Sequence, residues 1–266
     1  RSAAWHGVLA AAYPDRAVPF LRILTAYAGG VALNAVAPAR GGDAVKIGLV
    51  RAAVPGSSVP TIAATMSVLV ALDVAISTVL LIVVGATGAV PLDFAGAFDR
   101  AGTAAPIVAA GLAAAGIAGF FARRRLRTLA ARLRQGGAVL RTPTRYARRV
   151  ALPQLAAWCC RVGVVMCLLA AFGLPASVPL AGLVMVVAGA STVVPLTPGG
   201  AGTQQLMLAV ALSQTASATA VVSFSLAMQA SVTAVNALLG LAAAMALCGT
   251  LRPVRAVRMA LAGARP

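Results

Sequence analysis

Apolar residues in this chain come in long runs, and the charged positions collect between them, a pattern unlike the alternating stripes of a water-soluble fold. Thr61 to Val84 carries a charge only at Asp73 and is long enough to predict a membrane-spanning helix. Ala104 to Phe121, Pro153 to Gly173 (which contains Arg161) and Ala216 to Leu247 predict three more. Two further runs behave differently. Pro19 to Pro38 leads into Ala39-Arg40-Gly41-Gly42-Asp43, and Pro179 to Pro195 leads into Leu196-Thr197-Pro198-Gly199-Gly200-Ala201-Gly202. After each break comes a stretch too short to span, Asp43 to Val54 and Thr203 to Leu212. Each unit therefore reads as a re-entrant helical hairpin, with an ordinary loop between helices as the alternative.

Composition agrees with that layout. Of 266 residues, 61% are hydrophobic and 10% charged, a balance that excludes a soluble enzyme and leaves no room for an independent catalytic domain. The expected fold class is all-α, a polytopic transmembrane helix bundle in the cell's inner (plasma) membrane. The net charge of +17 is concentrated: ten arginines lie between Arg123 and Arg149, flanked by apolar runs. This is the signature of a cytoplasmic loop, which points to anionic lipid and away from nucleic acid as the partner of the basic stretch.

Fixing that loop and the C-terminal Arg252, Arg255 and Arg258 inside sets the parity of the rest. The linker from Gly85 to Thr103, with Asp93 and Asp99, falls outside, and Arg40, Lys46 and Arg51 fall on the cytoplasmic side. The Pro179 hairpin then enters from outside. The two hairpins also share a sequence pattern: Asn34-Ala-Val-Ala-Pro38 with Gly41-Gly42 answers Ser191-Thr-Val-Val-Pro195 with Gly199-Gly200. These features predict one integral membrane domain over 1–266, with a first repeat over about 19–121, the loop 123–149 and a second repeat over about 153–250 in inverted arrangement. Chance likeness among Ala, Val and Gly-rich segments is the competing explanation.

Few residues are equipped for chemistry. Asp73 sits near the centre of its span, where a lone carboxylate costs about 2.5 to 3.5 kcal/mol, so it needs a partner or a proton. Arg161 starts from the same side and lies only about 6 Å shallower, close enough to pair with Asp73 or to hold a lipid phosphate that Asp73 orients. Snorkelling of Arg161 to the interface is the alternative. Asp43 is placed to cap the short helix after the first break, and Arg40 and Lys46 either meet an anionic headgroup or hold the hairpin at the interface. Gly199, Gly200 and Gly202 offer backbone N–H groups to a phosphate or simply permit a tight turn, with Thr203 as the cap of the second short helix. Cys159, Cys160, Cys167 and Cys248 read as buried, reduced thiols. His6 has no metal or catalytic setting, no metal-ligand spacing or cofactor motif occurs, and the phosphate-loop pattern is absent. The chain opens on Arg1 without signal-peptide features, so an upstream helix or two is expected.

Pro38-x-Arg40-x-Gly42-Asp43-x-x-Lys46 resembles the P-x-R-x-G-E-x-x-R signature of the lysylphosphatidylglycerol synthase transmembrane region, or flippase-like domain. Pro195-x-x-Pro198-Gly199-Gly200-Ala201-Gly202 resembles its second signature, and the similarity runs from about Trp5 to Gly240. The resemblance implies a membrane protein that moves phospholipids or isoprenoid-linked lipids between leaflets. In the multiple peptide resistance factor a separate soluble domain aminoacylates the lipid; only the membrane part has a counterpart here, so synthase activity is not expected. A separate synthase and a second copy of the chain are the protein partners left open. The sequence departs from the pattern where Gln205, Gln229 and Val70 replace charged residues. Loss of both members of an ion pair at Gln205 and Gln229 would avoid a stranded charge. Asn34, Arg40, Asp43, Lys46, Asp73, Arg161, Gly199, Gly200, Gly202, Gln205 and Gln229 are the candidate lipid-binding residues. A non-transporting membrane subunit and, less readily, a transferase acting on a lipid-linked substrate are the rival functions.

Overall fold

A computed structural model of the chain describes residues 1–36, 41–87, 137–191, 202–213 and 215–248. The expected span from Ala104 to Phe121, most of the Arg-rich loop and the second break lie outside these residues. Every regular element among the described residues is helical: α1 (Ser2–Ala12), α2 (Phe20–Val36), α3 (Gly41–Ala53), α4 (Val59–Thr87), α5 (Pro143–Ala171), α6 (Val178–Ser191), α7 (Thr203–Ala211) and α8 (Ala218–Cys248), with a 3-10 turn at Ala138–Arg141. Three helices are long and apolar enough to cross a membrane, over Val59–Ala86, Pro143–Ala171 and Ala218–Leu247.

Local chemistry sets the helix ends. Ser58 opens α4, its Oγ accepting from Thr61 N–H at 3.3 Å, and Ser217 does the same for Ala220 at the start of α8. Pro143 occupies the first turn of α5, where a missing N–H costs nothing. The other end of α5 closes in a Schellman motif. Gly173 adopts φ +67°, its N–H donates to Ala170 O at 3.1 Å, and Leu174 N–H donates to Leu169 O at 2.9 Å. Leu169 and Leu174 are both buried in the same cluster, which supplies the apolar contact of that motif.

The chain divides into two compact units interleaved in sequence. The first takes its described residues from Arg1–Leu72, Leu126–Ala157 and Val232–Pro266. Its core joins Trp5, Val8 and Leu9 of α1 to Ile23, Val50, Ile62, Val139 and Val150. Trp5 is held in this core by its indole N–H, which donates to Thr65 Oγ1 at 3.0 Å, and by an edge-on contact with Tyr27. Gly240 of α8 lies against Ala32 of α2 with no space for a side chain, the small-residue packing that lets membrane helices approach closely.

The second unit takes its described residues from Asp73–Arg125 and Trp158–Ser231. At its centre is α6, whose Leu180, Ala181, Leu183, Val184 and Met185 are buried in succession, as expected of a helix apolar on every side. Leu208, Phe224 and Met228 pack around it, and Leu80 of α4 sits 3.0 Å from where a Cβ on Gly182 would stand.

Outside these cores the long helices present apolar side chains outward. Val70, Val74, Val79 and Ile82 on α4 and Leu226, Val235, Leu238 and Leu239 on α8 are all exposed. Leaving one such side chain in water forgoes about 1.5 to 3 kcal/mol, whereas hydrocarbon accepts it. The protein is a membrane protein.

Three expectations change. Helix α5 begins at Pro143, ten residues before the predicted Pro153, so the end of the Arg-rich stretch is helix rather than loop. Residues 2–12, which carried no clear sequence signal, form α1, and His6 Nε2 donates to Val18 O at 2.9 Å in a structural role. Cys159, Cys160 and Cys167 are exposed free thiols rather than buried ones, because an apolar setting on a membrane helix includes its outward face.

Two glycines, one inside α5 and one just past its end, give opposite expectations. Gly173→Ala meets no steric neighbour but must hold positive φ, so it lowers stability by about 1 kcal/mol. Gly163→Ala, in the open interior of the same helix, is neutral or raises stability by up to about 1 kcal/mol. Thermal unfolding in detergent measures both, and equal shifts would refute the assigned helix end.

Candidate functional site

The first hairpin packs α2 against α3. A helix start leaves amides without intrahelical carbonyls, and Asn34 in the last turn of α2 takes one of them. Its Oδ1 accepts from Gly42 N–H at 2.8 Å, and its Nδ2 donates to Asp43 Oδ1 at 2.9 Å. Lys46 Nζ donates to the same carboxylate oxygen at 2.8 Å. The Lys46 ammonium also lies 5.1 Å from the Tyr27 ring centroid. Lys46 is buried, so a carboxylate and a ring face beside it offset the cost of removing its charge from water.

Glycine is required where these helices touch. A Cβ on Gly30 would stand 2.7 Å from Gly42 O and 2.8 Å from Lys46 Cε, and one on Gly42 would collide with Gly30 O. Asn34 caps Gly42, and Asp43 ties the capping carboxamide to Lys46. Three of the candidate residues, Asn34, Asp43 and Lys46, thus form a single hydrogen-bonded group; Arg40 lies outside the described residues.

The second hairpin packs α6 against α7 and has the same closing logic. Gly202 opens α7 at φ +84°, and Gln205 Oε1 reaches back to accept from Gly202 N–H at 2.7 Å. Gln205 Nε2 then donates to Gln229 Oε1 on α8 at 2.6 Å. The cap position belongs to Gly202, with Thr203 the first helical residue, because the left-handed turn at 202 suits glycine and leaves the side chain of Gln205 to satisfy the amide. Gln205 is buried, and the two glutamines form a neutral contact. Gly199 and Gly200 lie outside the described residues.

In both hairpins one carboxamide accepts the amide of the short helix through its oxygen and gives its NH2 to a second side-chain oxygen. Sequence spacing alone does not reveal this for Asn34, since the bond depends on the packing of two helices.

A third polar group forms midway along the long helices of the second unit. Trp158 of α5 is buried and its Nε1–H donates to Asp73 Oδ1 at 2.8 Å. The Arg161 guanidinium lies 5.4 Å from the Trp158 ring centroid. The predicted partners Asp73 and Arg161 are therefore brought together through a residue that the sequence reading passed over. A signal for it existed: Trp158 stands three positions before Arg161 on one helical face, and a buried indole N–H needs an acceptor. Arg161 is exposed as a residue while its guanidinium lies by the Trp158 ring.

The capping amides carry a measurable share of stability. Asn34→Ala and Gln205→Ala each lower unfolding stability by about 1 to 2 kcal/mol in detergent. Changes near zero for both would show that the amides of Gly42 and Gly202 are satisfied in some other way.

Comparison with curated proteins and with solved structures finds no match. The family model described as the lysylphosphatidylglycerol synthase TM region matches residues 1–240. That span takes in both closed hairpins, the Asp73–Trp158–Arg161 group and the Gln205–Gln229 contact, and the chain belongs to this family.

Proposed function

We propose that this protein transfers phospholipid or isoprenoid-linked lipid between the leaflets of the inner membrane, as a multi-pass transporter and not as a synthase. In this reading the two hairpins are re-entrant, enter from opposite faces and belong to an inverted repeat, the arrangement that places substrate groups near the bilayer midplane.

The observation that supports the proposal is the polar group at mid-helix, where Trp158 donates to Asp73 at 2.8 Å and the exposed Arg161 lies 5.4 Å from the Trp158 ring. A guanidinium there is costly in plain hydrocarbon and well suited to a phosphodiester, which it engages through two parallel hydrogen bonds. The acyl chains stay in lipid along the exposed apolar faces of α4 and α5. Movement is passive or ion-coupled.

The neutral Gln205–Gln229 contact favours a second reading, a non-transporting subunit of a larger assembly. Reconstitution of the chain in liposomes with fluorescent phospholipids separates the two. The proposal expects leaflet exchange that Arg161→Gln slows at least about tenfold, the scale of one lost charge-assisted hydrogen bond, with a smaller loss for Trp158→Phe. Absence of exchange supports the subunit reading, and a new lipid product would support a transferase.

A further inference from the structure

We propose that the first turns of α5 form a fixed arginine platform that binds the phosphates of anionic phospholipids at the bilayer surface, a site apart from the proposed transfer path and independent of it. Arg141, Arg145, Arg148 and Arg149 are all exposed. Among the described residues no carboxylate pairs with any of the four. Arg145, Arg148 and Arg149 fall within two successive turns at the start of α5.

A stretch needed only to set orientation could hang as a loose loop, since the positive-inside rule asks for charge and not for shape. This one is built into the fold. The 3-10 turn Ala138–Arg141 and the wide π turn Ala147–Ala151 bracket the first helical turn. Val139 and Val150, one in each bracket, are fully buried in the core that holds Trp5, Val8 and Leu9. Helix α1 closes over the π turn so tightly that a Cβ on Gly7 would stand 2.6 Å from Arg149 O. The arginine backbones are thereby held in place, which lowers the ordering cost of presenting several donor forks together.

Length identifies the partner. The 29 residues of Pro143–Ala171 make a helix of about 43 Å, whereas hydrocarbon is about 30 Å thick and the bilayer with its headgroups about 40 to 45 Å. From Val150 onward the helix measures about 33 Å and fills the hydrocarbon, leaving Pro143 to Arg149 to project about 10 Å into the headgroup layer. There the guanidiniums stand level with lipid phosphates. Leu140, Leu152 and Leu155 are exposed on either side of them, apolar contacts that suit a membrane boundary and not a nucleic acid.

The test titrates the full chain, purified in neutral detergent, with phosphatidylglycerol, phosphatidylcholine or inorganic phosphate, reading thermal stability and bound lipid by native mass spectrometry. Phosphatidylglycerol binds the wild type more tightly than phosphatidylcholine, and inorganic phosphate does not substitute for it. The triple variant R145Q/R148Q/R149Q loses about fivefold in apparent affinity per arginine removed. The triple variant R145K/R148K/R149K keeps the charge, and hence the orientation, but loses the two-pronged geometry and binds several-fold more weakly than wild type. If the glutamine variant fails to fold, the lysine variant decides. Wild-type lipid affinity in whichever variant folds would overturn the platform, as would equal protection by inorganic phosphate.

Discussion

The satisfaction of backbone amides at the starts of the two short helices, α3 and α7, ties the elements of this fold together. A continuous helix closes its own hydrogen bonds, so α4, α5 and α8 need only apolar side chains to remain in a membrane. The start of a helix exposes amide donors that its own carbonyls do not meet. The chain solves this twice, with Asn34 for Gly42 and Gln205 for Gly202, each a side chain that both accepts and donates. A carboxylate could accept the amide but has no donor to pass on, and a hydroxyl is too short to span to a second partner. The carboxamide's two ends allow the cap to be tied onward, to Asp43 and Lys46 in one case and to Gln229 in the other.

These ties explain the placement of small residues. The cap at Asn34 works only if α2 and α3 touch, and they touch only because Gly30 and Gly42 have no side chains. Lys46 fills the space beside Gly30 with its stem, and its charge finds Asp43 and the Tyr27 ring. Packing, capping and charge neutralisation are therefore one arrangement, and a change in any of them reaches the others.

Much of the architecture was legible in the sequence, for a physical reason: hydrocarbon thickness fixes how many apolar residues a spanning helix needs, so run length alone located α4, α5 and α8 and separated them from the shorter α3 and α7. The start of α5 was not legible, because Arg141 to Arg149 reads as a solvated loop until Val139 and Val150 are seen buried in the core of the first unit. Exposure of Cys159, Cys160 and Cys167 was hidden for a related reason, since apolar neighbours on a membrane helix do not distinguish the inward face from the lipid face. At the candidate site the sequence supplied Asn34, Asp43, Lys46, Asp73, Arg161, Gln205 and Gln229, but not the pairings. Trp158 and the capping role of Asn34 depend on contacts between helices, 85 and 8 residues apart in sequence, that only packing creates.

Amide exchange at Gly42 and Gly202, resolved by NMR with the protein embedded in lipid nanodiscs, tests the capping claim most directly. The account predicts that both amides exchange slowly in the wild type and that Asn34→Ala frees Gly42 alone while Gln205→Ala frees Gly202 alone. Rapid exchange of either amide in the unaltered chain, or slow exchange that survives loss of its capping side chain, would contradict it.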